Sequence, residues 1–278
     1  MQDVGTLLRN GLKTWKKNLN ICIPLILNMI VVGTIGLTMV IGMVLTALAP
    51  IMPHLQASDM TPELILAQTM PMMGTIALAF LVFVILAGLV GAFFYAGAIG
   101  MAKKAIEGER CNLSDMVEYG KGNFISLFFA NIIVGLMLLA GMVFLIPCFL
   151  FIDKADLATF NATLIMGLLL FALYALILSI IFAVVRYAIV VDGIGAIRGV
   201  KRGAKFFLDN KLDMFLVWLI IVAISAGLSM ISMIMEYVPY LGTVWPVVNF
   251  AVYIVVIAPL SIIWWTGLYM SRAEKAIQ

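Results

Sequence analysis

The sequence predicts an all-α, polytopic membrane protein with six transmembrane helices, arranged as three hairpins that are each preceded by a cytoplasmic interfacial segment. Three observations predict it. Of 278 residues, 64% are hydrophobic and 11% are charged, against about 45–50% apolar and about 25% charged in a soluble domain, whose interior could not hide so much apolar surface. The charges cluster, leaving runs that satisfy the roughly 20 apolar residues a helix needs to cross a hydrocarbon core. Those runs lack the alternation of barrel strands, so backbone groups in lipid find partners only within helices.

The chain reads as a single integral membrane domain, 1–278, that opens with a cytoplasmic amphipathic helix at 1–20. Spans follow at about 21–49, 71–101, 124–152, 162–191, 214–236 and 245–270. The first run exceeds the ~7–15 residues of a signal-peptide core, so it is expected to stay as a span. Kinks are expected at Pro24, Pro147 and Pro259, because proline cannot donate to the helical ladder.

Orientation follows from Lys and Arg. Arg9, Lys13, Lys16 and Lys17 precede span 1; Lys103, Lys104, Arg110 and Lys121 lie between spans 2 and 3; Arg198, Lys201, Arg202, Lys205 and Lys211 lie between spans 4 and 5; Arg272 and Lys275 follow span 6. Of the 17 basic residues, Lys154 falls on the other side and Arg186 inside span 4. The positive-inside rule therefore places both termini in the cytoplasm, with the cell membrane as the expected location. On the outer side, Thr61-Pro62-Glu63 carries the signals of a short surface helix: a cap, a first-turn proline and an acid at the positive dipole end.

The inner connections share a pattern. Gly11-Leu12-Lys13-Thr14-Trp15-Lys16-Lys17-Asn18 matches Gly203-Ala204-Lys205-Phe206-Phe207-Leu208-Asp209-Asn210 in Gly, Lys, aromatic and Asn, and Tyr119-Gly120-Lys121-Gly122-Asn123-Phe124 is a shorter version. In the first, Val4, Leu7, Leu8, Leu12 and Trp15 fall at helical spacing; in the last, Ile194, Ile197, Ala204 and Phe207 do, with the bases on other faces. Both read as helices in the inner headgroup layer. Three units entering from the same side imply parallel repeats about an axis along the membrane normal. The competing reading is convergence, since aromatics and Lys both anchor at interfaces.

The stretch Val190-Val191-Asp192-Gly193-Ile194-Gly195-Ala196-Ile197-Arg198-Gly199-Val200-Lys201-Arg202-Gly203, followed by Phe207 and Asn210, resembles the helical family related to the membrane domain of glycerophosphoryl diester phosphodiesterases. The resemblance implies a span running into an acidic or glycine turn, a basic amphipathic helix and an aromatic-Asn start to the next span. The phosphodiesterase of that family is a separate soluble domain, which this chain lacks, so no hydrolase activity is carried over.

No nucleophile and base, paired aspartates or HExxH motif occupies the spans, so neither an enzyme nor a resident cofactor is expected. Cys22, Cys111 and Cys148 are dispersed and odd in number, which suggests neither disulfides nor zinc. Met52, His54, Met60, Met70, Met72 and Met73 would suit Cu(I), but methionine fills apolar packing throughout this chain. No basic patch points to nucleic acid. Arg186 is the clear intramembrane charge; it reads either as a side chain reaching the inner headgroups or as a contact to a substrate or lipid phosphate. Arg9, Lys13, Lys16, Lys17, Arg198, Lys201, Arg202 and Lys205 are candidate contacts for anionic lipid at the cytoplasmic face. Asn28, Asn131 and Asn249 read as interhelical hydrogen-bonders or as pathway residues, and Gly88, Ala92, Ala96 and Gly100 as a smooth packing stripe.

Two function classes remain. One is a non-enzymatic membrane protein that binds lipid or a membrane-protein partner, including a second copy of itself, and organises or regulates a membrane assembly. The alternative is a transporter or channel for a small or amphiphilic solute. Convergence of Asn28, Asn131, Asn249 and Arg186 on a cavity would favour transport; dry interhelical burial would favour the partner reading.

Overall fold

A computed structural model of the chain describes residues 3–48, 70, 73–150, 157–238 and 240–273. The expected surface helix at Thr61, Pro62 and Glu63 lies outside the described residues, as do Met52, His54, Met60, Met72, Lys154 and Lys275.

Helix α1 is Val4–Lys17. A single 3-10 turn, Leu19–Ile21, leads into α2, Cys22–Leu48. Next come α3, Met73–Ile106, and α4, Leu113–Ala140, which continues through a 3-10 stretch, Gly141–Leu145, into α5, Ile146–Leu150. Helix α6 is Leu157–Ile181, and a turn over 182–184 separates it from α7, Val185–Asp192. Helices α8, Ala196–Asp209, and α9, Lys211–Glu236, follow. The last span comprises α10, Leu241–Val252, a π-helical turn, Tyr253–Ile257, and α11, Ala258–Ala273. The described residues form helices and no strands, and six helical stretches are long and apolar enough to cross a membrane: Leu19–Thr46, Met73–Ile106, Leu113–Cys148, Phe160–Asp192, Lys211–Glu236 and Leu241–Ala273.

Burial divides the bundle along its length. The buried core draws on α1, the second half of α3, the first half of α4, α7, α8, the start of α9 and α11, and includes Leu7, Ile99, Met101, Leu127, Ile189, Met214, Leu268 and Tyr269. At the other end the spans expose Leu37, Leu45, Leu78, Phe80, Leu136, Leu169, Met230 and Met233. Apolar side chains left exposed on helices of spanning length are those that lipid can cover. The packed half is also the basic half.

Close approach explains much of that core. Gly97 and Gly100 of α3 sit against Met116 and Tyr119 of α4, and a Cβ at Gly97 would lie 2.6 Å from the Met116 side chain and 2.8 Å from its carbonyl oxygen. Ala92 and Ala96 of the same stripe are buried, and Gly88 faces the Phe128 ring. The stripe Gly88, Ala92, Ala96 and Gly100 is thus spent inside the chain, where α3 and α4 make the most extensive pairing of the fold.

The repeat pattern takes two forms. After α1 and α8 the helix breaks at Asn18 (φ −133°) and Asn210 (φ −132°). Asn18 Nδ2 donates to Thr14 O at 3.2 Å and Asn210 Nδ2 to Phe206 O at 3.1 Å, which satisfies carbonyls that the helix end would orphan. Asn123 Nδ2 makes the same bond to Tyr119 O at 3.1 Å, but there the helix runs on, so the middle unit has no separate interfacial helix.

The faces of the two short helices follow the sequence expectation in most positions and depart from it at Leu12 and Ile197. Val4, Leu7 and Gly11 of α1 are buried, with Leu8 and Trp15 packed against the core and Leu12 exposed. On α8 the buried face is Gly199, Val200, Gly203 and Phe206, whereas Ile197 is 65% exposed. The reason is steric: Gly199 and Gly203 admit Ile189 and Val185 of α7, so the glycine face, not the Ile197 face, turns inward. Gly193, with φ 64°, reverses the chain between α7 and α8, and the Ile194 N–H closes onto Ile189 O at 3.2 Å, as in a glycine-ended helix.

The three prolines act differently. Pro24 lies in the first turn of α2, where its missing N–H leaves no gap. A 3-10 stretch precedes Pro147 and the π-helical turn precedes Pro259.

Candidate functional site

Between spans 2 and 6 lies a cavity of about 690 Å³, partly open to the protein surface. Tyr95 comes from α3, Asn131 and Leu138 from α4, Ser179 and Phe182 from the end of α6 and the turn after it, Arg186 and Tyr187 from α7, Trp218 and Ser225 from α9, and Tyr253, Ser261 and Trp265 from span 6. Two of the helical irregularities, the turn at 182–184 and the π-helical turn at Tyr253–Ile257, contribute to its wall. Such breaks concentrate at functional positions in membrane helices, because irregular backbone at that depth needs a cavity or protein neighbours.

Two of the polar span residues meet here. Arg186 Nε donates to Asn131 Oδ1 at 3.2 Å, and the guanidinium lies over the Tyr95 ring, 5.4 Å from its centroid. Tyr187 stacks on Trp265 with ring centroids 6.4 Å apart. Arg186 does not pair with Asp192, which receives the Tyr269 hydroxyl and lies 3.6 Å from Arg202 Nε.

The other two asparagines lie elsewhere. Asn249 Nδ2 donates to Ser232 Oγ at 2.9 Å, which also accepts from Trp245 Nε1 at 2.9 Å, tying spans 5 and 6 at the far end. Asn28 Oδ1 is buried near Gly91 and has no hydrogen-bond partner among the described residues.

The bases separate into two groups. Lys104 Nζ donates to Asp115 Oδ1 at 2.7 Å, Lys103 Nζ to Val191 O at 3.1 Å, and Arg272 Nε to Asp213 Oδ2 at 2.8 Å. Arg202 belongs with these: it is drawn to Asp192 and Tyr269, and the bond to the Tyr269 hydroxyl raises its guanidinium above the ordinary value. Arg202 is thus partnered within the fold, unlike the other bases of α1 and α8. Arg9, Lys13, Lys16, Lys17, Arg198, Lys201 and Lys205 are exposed and form no ion pair among the described residues. Exposed Leu12 on α1 and exposed Ile197 and Leu208 on α8 lie among them.

Cys111, in the turn between α3 and α4, is buried, and burial pushes its thiol up. Its Sγ donates to Asn18 Oδ1 at 3.6 Å, and Asn20 Nδ2 donates to its carbonyl at 3.4 Å. The α3–α4 turn is thereby tied to the break after α1. No group of three metal-ligating side chains occurs among the described residues.

The sequence singled out Asn131 and Arg186 but not Tyr95, Trp218, Tyr253 or Trp265. Those aromatics carry no spacing signal, because they converge from three separate spans.

The model of a family described as a domain of unknown function (DUF7847) matches residues 30–266. An uncharacterized protein of Archaeoglobus fulgidus is 23% identical over 287 residues, an alignment that covers 96% of this chain and 95% of that protein. No solved structure matches. The family matched is not the glycerophosphoryl diester phosphodiesterase membrane domain that the 190–203 stretch resembles.

Proposed function

The chain belongs to the DUF7847 family, of unknown function, and from that premise we propose that it is a non-enzymatic multi-pass membrane protein that takes a membrane amphiphile into the cavity between spans 2 and 6. The observation that carries this reading is the convergence of Arg186 and Asn131, the first from span 4 and the second from span 3, on that cavity. Its volume lies within the roughly 300–1,000 Å³ of small-molecule sites, and a mainly apolar wall with a few polar groups is what such sites use.

In this reading both termini are cytoplasmic, the protein sits in the cell membrane, and the exposed bases of α1 and α8 hold it against anionic lipid, at about 1 kcal/mol per base near the surface. Binding the amphiphile would serve to organise or regulate a membrane assembly, alone or with a protein partner. A distant kinship with the phosphodiesterase membrane domains is part of the proposal and is supported by the 190–203 pattern alone.

Transport is the second reading. The meeting of Arg186 and Asn131 on the cavity favours it in part, Asn28 and Asn249 lying elsewhere, as do the turn at 182–184 and the π-helical turn in span 6, since discontinuous spans flanking a central site are common in transporters.

Native mass spectrometry of the protein released gently from its own membrane tests the proposal. Retention of a lipid or other amphiphile at defined stoichiometry is the expected result. A protein that sheds every amphiphile while keeping a stoichiometric protein partner would overturn it in favour of a scaffold.

A further inference from the structure

We infer that the cavity selects an amphiphile with a single carboxylate or phosphate head, which the terminal nitrogens of Arg186 receive; this rests on the amphiphile-binding reading above. Arg186 is the one charged side chain lining the cavity among the described residues, and no Asp or Glu faces it there. The acid closest to it along its own helix, Asp192, is committed to Tyr269 and Arg202. The Arg186 side chain is exposed to this open cavity, and with no carboxylate in the lining its positive charge makes the site complementary to an anion.

The geometry refines the ligand. Asn131 occupies Nε, and the Tyr95 ring covers one face of the guanidinium. These contacts hold the plane of the group and leave its terminal N–H fork without an acceptor among the described residues. That fork matches two oxygens of a carboxylate or phosphate. Beyond it the wall is apolar and aromatic, with Leu138, Leu178, Phe182, Trp218 and Ile257, which suits an acyl or other hydrophobic body. One cation suits one anionic group, and the apolar wall disfavours a wholly polar solute.

Trp218 and Trp265 line the cavity, so a brominated chain that enters it will quench their fluorescence by contact. The test titrates the intact protein, in nanodiscs of unbrominated phosphatidylcholine, with a brominated fatty acid, a brominated alkyl phosphate and the corresponding neutral alcohol. Saturable quenching by the two anions, about tenfold or more weaker with the alcohol and in Arg186→Gln, is expected from the loss of charged hydrogen bonds. Arg186→Lys, which keeps the charge and loses the fork, should fall between, and the comparison of head groups on the unaltered protein stands even if the Gln variant does not fold. A Trp218→Phe variant should lose part of the quenchable signal.

Equal saturable quenching by anions and alcohol, unchanged in Arg186→Gln, would overturn the anion inference and leave amphiphile uptake standing. No saturable quenching by any of the three would overturn both. Inorganic phosphate added as competitor identifies the source of the head: displacement of the brominated anion supports a phosphate site open to soluble anions, and failure to displace supports a site filled from the membrane.

Discussion

The indole N–H of Trp15 donates to the main-chain carbonyl of Val255 at 3.0 Å, joining the end of α1 to the π-helical turn of span 6. Cys22 Sγ donates to the same oxygen at 3.2 Å. Pro259, four residues beyond Val255, has no N–H and cannot give that carbonyl its usual helical bond. Trp15 and Cys22 therefore supply from another segment what proline removes, at a depth where an unsatisfied carbonyl is costly. Tyr253 and Ile257 of the same turn face the cavity, so α1 supports one wall of that cavity.

Trp15→Phe should destabilise the protein by about 1 kcal/mol, the usual net value of one hydrogen bond. In a Pro259→Ala background, where residue 259 can donate to Val255, the same change should cost less. A double-mutant cycle of unfolding in detergent measures the difference, and strict additivity would dismiss the compensation.

Gly100→Ala and Gly97→Ala should each cost about 1–3 kcal/mol, the range for overpacking a filled interior. A Cβ at Gly100 collides with the Tyr119 ring, and one at Gly97 meets Met116 backbone. Gly33, with nothing within 4 Å of its Cβ position, is the control: Gly33→Ala should be neutral or stabilising by up to about 1 kcal/mol through helix propensity. Thermal melts of the three purified variants separate these outcomes.

Cys111 should alkylate more slowly at pH 8 than a free thiol, because burial raises its pKa and only the thiolate reacts. The sign for stability follows: the raised folded value favours the folded state below the unfolded thiol's pKa, and that contribution fades as pH rises through the folded value. Time-resolved labelling followed by peptide mass spectrometry gives the rate, and a rate equal to that of unfolded protein would refute the burial argument.

Arg272→Met should destabilise by about 1–3 kcal/mol, less than for a fully buried pair, since the Asp213 carboxylate it strands is 27% exposed while the arginine side chain is 5% exposed. Replacing Asp213 as well, with Leu, should recover part of the loss, because removing both charges leaves none to desolvate. Denaturant titration of the single and double variants reads this directly.

The candidate site was half legible beforehand. Asn131 and Arg186 stand out in a sequence because polar groups are rare in spans, but nothing local says that Arg186 turns to Asn131 and Tyr95 rather than to Asp192. The packing stripe Gly88 to Gly100 was legible as a surface; its partner α4 was not. On α8 the apolar periodicity pointed to Ile197, and two glycines that accept α7 turned the other face inward.

By itself the sequence determined the helical class, the six apolar stretches and the clustering of basic charge at one end. These depend on each segment's exchange with its solvent, lipid or water, and so are written segment by segment. The tertiary structure alone decided which polar residues meet, that α1 docks on span 6, and that two broken helices enclose a cavity. Spans that are apolar on every side carry no periodic mark of their neighbours, so their partners are chosen by shape, close approach and hydrogen bonds that exist only once the helices have packed.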